Sequence, residues 1–287
     1  MNQQQAKGSS RWPKFEIFAN VRPVVLFELL GRGFLGFFTF LGEIGLLFRD
    51  VLESLVRGKI RWRLVMEQIA EMGFRSQPVV MITGAFTGAV LAAQSLFQFA
   101  QLKMETGGGA LVSVSMLREL GPTITGLMLS GRVGAAMAAE IGTMKVTEQV
   151  DALRSMSVHP IDYLVTPRII AMFVAMPLLI GESAALGIGA SELVGMQFNV
   201  NSAYWMNQMH HYTDLSDISI ALIKGMIFGI LIVGISCHQG LKASNGAVGV
   251  GRGTTSAMVI SSLAILIFNF FLTLLLNMIF PTGLAKR

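Results

Sequence analysis

The chain has 287 residues, of which 53% are hydrophobic and only 14% charged, with a formal net charge of +5. That charged fraction is far below the roughly 25% of an ordinary soluble domain and excludes a water-soluble fold. The lone Cys237 excludes a disulfide framework and any multi-cysteine metal site, and the basic excess arrives without a nucleic-acid-binding module, so it points to anionic lipid headgroups and not to nucleic acid.

The opening residues, MNQQQAKGSSRWPK, are polar and precede no short apolar core with a cleavage site, so the sequence predicts no cleavable signal peptide and a cytoplasmic N-terminus. Val24 to Val56 looks apolar but carries Glu28, Arg32, Glu43, Arg49, Asp50 and Glu53. Burying those charges in hydrocarbon is costly, so the stretch reads as interfacial helices, with a true span as the alternative. The charged amphipathic run Arg61 to Arg75 follows. Residues 1–76 are thus expected to form a cytoplasmic N-terminus with interfacial or amphipathic helices.

From residue 77 the apolar stretches reach the roughly 20 residues that cross a hydrocarbon core. Spans are predicted at Pro78–Ala100, Gly109–Ala139, Tyr163–Met196, Ile218–Cys237 and Thr255–Phe280. The expected fold is an all-α integral membrane protein with five transmembrane helices over residues 77–281 and a short tail at 282–287. With the N-terminus inside, the outer loops carry one basic residue, Lys103, and the inner loops carry Lys145, Arg154, Lys242 and Arg252. This obeys the positive-inside rule, except that Lys286 and Arg287 fall outside. Small residues recur every fourth position, as in Gly84-Gly88-Ala92 and Ser183-Gly187-Ser191, and let helix backbones approach, within one subunit or between two.

Arg118 and Glu119 lie about ten residues into the second predicted span, which at ~1.5 Å per residue places them near its middle. Adjacent helical residues point about 100° apart, so each needs its own partner, either a polar substrate path or a bridge to another helix. Pro122 removes a backbone donor there and predicts a kink. Arg132 and Glu140 lie nearer the inner end, where Arg132 can snorkel. Glu182, Glu192 and Lys224 are candidates for inter-helix pairs.

Between the second and third spans, residues 146–157 read as a short cytoplasmic helix. Thr147 is placed to cap it, Glu148 and Asp151 suit its positive end, Val150, Leu153 and Met156 share a face, and His159-Pro160 ends it. Such a helix suits either a partner's groove or the bilayer surface. Enzyme signals are weak: GAVGVGRGTT (Gly246–Thr255) has Arg252-Gly253 where a phosphate loop needs Lys and Ser or Thr, and His210-His211 has no further ligand nearby. No catalytic or metal-binding residue is assigned.

The run LRELGPTITGLMLSGRVGAAMAAEIGTMKVTEQVDALRSMSVHPIDYLVTPR (Leu117–Arg168) and the later GAVGVGRGTTSAMVISSLAIL resemble the MlaE/YrbE permeases, over about residues 30–280. These are membrane subunits of ABC transporters that work with MCE-domain lipid-binding proteins. The resemblance implies a homodimeric permease in a bacterial inner membrane, with its C-terminus periplasmic. A cytoplasmic ABC ATPase dimer, which carries the ATP and Mg, lies beneath it, and an MCE protein and a small accessory regulator complete the assembly. The cargo implied is phospholipid, and this chain binds no cofactor. By the same resemblance Arg118, Glu119 and Pro122 line the lipid cavity, and Glu148, Gln149, Asp151, Ala152 and Leu153 form the ATPase-coupling helix. Two departures stand out: Ser157 where many relatives have Gly, and Asn269 where some have an acid. The rival readings are an ATP-independent channel or proton-coupled carrier using Glu119, Glu182 and Glu192, and an ABC permease for sterol or another hydrophobic substrate.

Overall fold

The computed structural model describes residues 23–58, 60–101, 107–198 and 200–280, and every regular element among them is helical. Helix α1 (Pro23–Val56) occupies the region expected to hold interfacial helices and is one continuous element. The chain divides into two units within it, between Gly45 and Leu46. In the first unit Phe34 and Phe37 both meet Phe38, with ring centroids 5.3 and 5.9 Å away, and all three rings are exposed. In the second unit Leu47 and Val51 are buried, and the Phe48 ring covers Gly234 so closely that an added Cβ would lie 2.6 Å from it.

The remaining helices form a bundle. Helix α2 (Trp62–Gln68) passes through a π turn at Ile69–Gly73 and a 3-10 turn at Phe74–Ser76 into α3 (Gln77–Gln101). The basic run Arg61–Arg75 is therefore the beginning of the same helical rod as the first predicted span. Helices α4 (Gly108–Ser115), α5 (Gly121–Leu129) and α6 (Ala135–Val146) make a second rod, with π turns at Met116–Leu120 and Ser130–Gly134. Helix α7 (Gln149–Ser155) is short, and a π turn at Ile161–Val165 opens α8 (Thr166–Gln197). Helices α9 (Ser202–Tyr212), α10 (Leu215–Leu241) and α11 (Gly246–Ile279) complete the chain.

Among the described residues, four helical stretches are long and apolar enough to cross a membrane: Trp62–Phe99, Ile161–Gln197, Leu215–Leu241 and Gly246–Ile279. The α4–α6 rod is as long but less apolar, because Arg118, Glu119, Arg132, Glu140 and many Gly, Ser and Thr interrupt it. It lies against α10 and α11, and its Met116, Leu129, Met137 and Ile141 are buried.

Lipid tails are as apolar as leucine, so close packing and hydrogen bonds, more than water exclusion, join helices in a membrane. The small-residue ladders supply that packing within the subunit. Helices α3 and α8 run parallel, with Gly84 against Ser183 and Gly88 against Gly187; a Cβ on Gly88 would sit 2.0 Å from the Gly187 carbonyl oxygen. Helices α8 and α10 run antiparallel, with Gly225 on Pro177 and Gly229 on Met172.

The two ends of the bundle differ. At one, α9 lies across the start of α4 and the end of α8, and the buried Trp205 ring fills a slot made by Gly108, Gly109 and Gly195. Asn201 caps α9 by accepting the Ala203 N–H at 2.9 Å, and Thr213 Oγ1 bonds Ser113 Oγ at 2.9 Å. This helix was not anticipated; residues 197–217 read as a loop because only Trp205 and Met209 of α9 are buried. At the other end α7 packs beside α6, and Gly142 meets Ala243 and Val250.

Candidate functional site

Arg118 and Glu119 sit in the π turn Met116–Leu120, and each finds its own partners, as the angle between neighbouring helical residues requires. The Arg118 guanidinium is buried; its Nε bonds Asp217 Oδ1 at 2.5 Å and its Nη1 bonds Asn277 Oδ1 at 2.5 Å. Asp217 lies in the first turn of α10 and Asn277 in the last turn of α11. The Arg118 guanidinium therefore reaches the ends of α10 and α11 on the α9 side, while its carbonyl meets Lys224 further along α10. The α4 start extends past those ends to reach Trp205, which shifts the rod along its axis.

Glu119 points to a different face of the turn. Lys224 Nζ donates to its Oε1 at 2.9 Å, Thr273 Oγ1 donates to the same oxygen at 2.9 Å, and Asn269 Nδ2 donates to Oε2 at 3.0 Å. Asn269 thus supplies a donor, and a carboxylate at that position would face Glu119 with like charge. Lys224 is fully buried, whereas the Glu119 side chain is 39% exposed.

Pro122 is linked to this network through backbone chemistry. In a regular α-helix the amide of residue 122 would meet the carbonyl of residue 118, and proline has none. Lys224 Nζ donates to that Arg118 carbonyl at 2.6 Å. The kink expected from Pro122 is taken up by the π turn just before it, where the Gly121 N–H bonds the Met116 carbonyl. A Cβ on Gly121 would lie 2.5 Å from that oxygen, so the turn requires glycine.

Two cations and two anions therefore compensate one another in a neutral network across α4–α6, α10 and α11. Such a network locks the axial offset and rotation of three helices, because every member loses its partner if one slips. The half-exposed Glu119 carboxylate is the part of it that can meet a ligand. Asp217, Thr273 and Asn277 escaped the sequence reading. Asp214 and Asp217, three apart, form a capping box in which the Asp214 N–H bonds Asp217 Oδ2 at 2.8 Å, and that spacing was the available signal for a helix start.

The predicted coupling residues gather at the α7 end. Glu148, Gln149, Asp151 and Ala152 are exposed, and Leu153 is half-buried. Val150 is fully buried and anchors the helix, while Met156, expected on the same face, is exposed. Glu148, not Thr147, is the N-cap residue, in the left-handed conformation at φ 59°; the Thr147 hydroxyl bonds back to the Thr143 carbonyl at 2.8 Å and ends α6. Asp151 binds Lys145 at 2.9 Å and Arg154 at 3.1 Å. The Lys145 hydrogen bond chiefly holds the Asp151 carboxyl below its ordinary 3.8, against a smaller upward push from burial. The helix stops in a Schellman arrangement: Val158 N–H bonds the Leu153 carbonyl and Ser157 N–H the Arg154 carbonyl, both at 3.0 Å, with Ser157 at φ 58°. That conformation is why glycine suits position 157.

The other charged candidates have separate surroundings. Glu140 pairs with buried Arg168 at 2.8 Å, and Glu192 accepts the Ser202 hydroxyl at 2.5 Å. Arg132 is exposed and makes no hydrogen bond or ion pair among the described residues. Glu119, Glu182 and Glu192, the members of the rival polar path, are not joined by hydrogen bonds among the described residues. The run Gly246–Thr255 is the start of α11 and no loop. Among the described residues no group of three or more His, Cys, Asp or Glu is placed to hold a metal.

The profile of the family described as Permease MlaE matches residues 65–275. A probable ABC transporter permease protein of Rickettsia typhi is 43% identical over 250 residues, 87% of this chain and 96% of that protein. The chloroplastic protein trigalactosyldiacylglycerol 1 of Arabidopsis thaliana is 37% identical over 78% of this chain and 64% of its own length. The intermembrane phospholipid transport system permease protein MlaE of Haemophilus influenzae is 33% identical over 85% of this chain and 94% of its own length. With a matched segment that runs from α2 to α11 and holds both the charged network and α7, this multi-pass membrane protein belongs to the MlaE permease family.

Proposed function

We propose that the chain is the permease subunit of an ABC transporter that moves phospholipid between the inner membrane and the periplasm or outer membrane. The name of the Haemophilus influenzae relative supports the cargo, and the names of the rickettsial relatives support the transporter class. In this reading the α4–α6 rod is the fifth membrane span, α1 lies in the interface, and the α7 end faces the cytoplasm. A separate ATPase dimer holds ATP and Mg, a periplasmic MCE-domain protein meets the α9 end, and a small accessory regulator belongs to the same assembly. Two copies pair, and the row of exposed apolar residues on α11, including Leu263, Phe270, Phe271 and Leu274, supports a second copy or lipid there. Arg118, Glu119 and Pro122 border the lipid cavity between the copies; Arg118 is held by Asp217, so Glu119 is the group that faces the cargo.

The observation that carries this reading is α7. Its buried Val150 fixes it to the bundle while Glu148, Gln149, Asp151 and Ala152 face outward, as a lever pushed by another subunit requires. ATP-driven closure of the partner moves α7, and α6 carries the movement to the charged network. Purification of the tagged chain in mild detergent is expected to recover an ATPase, and the paired reversal Glu148→Arg with Asp151→Arg is expected to abolish that recovery and transport while leaving thermal unfolding within a few degrees of wild type. Retention of both in the doubly reversed chain sinks the docking assignment.

A further inference from the structure

A cleft of about 160 Å³ opens at the α7 end between the α2–α3 rod and the α5–α6 segment. One wall carries Gln68, Glu71 and Arg75; the other carries Arg132 and Glu140; Met72, Val133 and Met137 close the base. Its acids are already engaged, Glu71 with Arg75 at 3.2 Å and Glu140 with Arg168 at 2.8 Å. Arg132 is left as a guanidinium without a described partner, one helical turn from Ala136, which forms open floor between Arg132 and Glu140. With Glu71 engaged by Arg75, and Glu140 by Arg168 from outside the cleft, Arg132 is the lining charge without a described partner, over a partly apolar base.

We infer that this cleft binds the phosphodiester headgroup of a phospholipid from the leaflet on the α7 side, with Arg132 as the phosphate ligand. The cleft has room for a phosphodiester beside the Arg132 guanidinium. The cleft is open to the outside of the bundle, and the acyl chains run along that surface, where Met128 stands exposed one turn from Arg132 toward the α9 end. Guanidinium is suited to the task because its fork matches two phosphate oxygens at once. The free sulfate or phosphate ion satisfies the same guanidinium but gains nothing from the apolar flank. This inference rests on the phospholipid reading for its ligand and places a second lipid, distinct from any held beside Glu119, at the other end of the bundle.

Native mass spectrometry of the purified full chain in dodecyl maltoside, titrated with dioleoylphosphatidylglycerol, tests it. Arg132→Gln removes the ligand and Ala136→Trp fills the floor; both positions are exposed, so both variants fold. Each is expected to weaken one phosphatidylglycerol per chain about tenfold, the loss typical of one charge-assisted hydrogen bond, with Arg132→Lys intermediate, and to leave a lipid beside Glu119 unaffected. Dioleoylglycerol, which lacks the phosphate, is expected not to compete. Unchanged affinity in both Arg132→Gln and Ala136→Trp overturns the site, and displacement by equimolar inorganic phosphate overturns the lipid in favour of a free anion. The Glu148→Arg, Asp151→Arg chain is expected to keep this binding while losing transport, so failure of the headgroup site and failure of the transporter reading are read in different variants.

Discussion

Lys224 Nζ donates a hydrogen bond to the Arg118 carbonyl oxygen at 2.6 Å, serving the backbone acceptor for which Pro122 has no amide. The same ammonium bonds Glu119, so one side chain on α10 repairs a backbone defect and neutralises a carboxylate.

Replacing Lys224 with Met should therefore destabilise the protein by about 2–4 kcal/mol, since the Arg118 carbonyl loses its donor and the half-buried Glu119 carboxylate loses its cation while keeping Thr273 and Asn269. Because Pro122→Ala returns an amide near the carbonyl, the double variant should cost about 1 kcal/mol less than the two single changes summed. Thermal unfolding in detergent measures both, and strictly additive costs would show that proline and lysine are not coupled.

Arg118 and Asp217 form the buried half of the network, with side chains 7% and 3% exposed. Asp217→Leu alone should cost about 3–5 kcal/mol by stranding the guanidinium, and adding Arg118→Met should recover most of that loss. Chemical denaturation of the three variants decides; a double variant as unstable as Asp217→Leu would show that the aspartate acts mainly as the cap of α10.

Ser157 stands at φ 58° with its amide already used in the helix stop. Glycine adopts that conformation without the Cβ clash, so Ser157→Gly should raise stability by about 0.5–1 kcal/mol and Ser157→Val should lower it. A destabilised glycine variant in a melting experiment would contradict the assignment of a left-handed stop.

The Asp151 carboxyl is held below its ordinary 3.8 mainly by the Lys145 hydrogen bond. A depressed folded-state pKa means the bond's contribution is complete above the unfolded value and disappears as pH falls through the folded one, so the window lies below 3.8. The group is exposed, and the effect should also shrink with salt. Carboxyl-carbon NMR of Asp151 should show its midpoint rising toward the ordinary value in Lys145→Met; an unmoved midpoint would assign the depression elsewhere.

Hydropathy, helix-breaking residues and loop charge are local properties, and they were enough to read a helical membrane protein, to place four apolar stretches inside helices, though α11 begins nine residues before the predicted Thr255, and to locate α7 between the second and third rods. The short segment 146–157 was legible because Val150 and Leu153 share a face and Pro160 ends the pattern; its ends were not, since left-handed Glu148 and Ser157 set them through backbone geometry that no side-chain pattern announces. Helix α9 was missed because one buried tryptophan in a polar segment carries too little periodicity to mark a helix.

The unpaired charges at Arg118 and Glu119 were visible in the sequence as residues that needed partners, and so was the missing amide at Pro122. Which groups answer them was decided only by tertiary structure. Asp217, Lys224, Asn269, Thr273 and Asn277 lie on two later helices, and their meeting depends on how far each helix is shifted along its axis and turned about it. Those two quantities come from glycine-mediated contact between distant segments and from π turns that rotate a helix partway along. Sequence periodicity describes one helix at a time and contains neither.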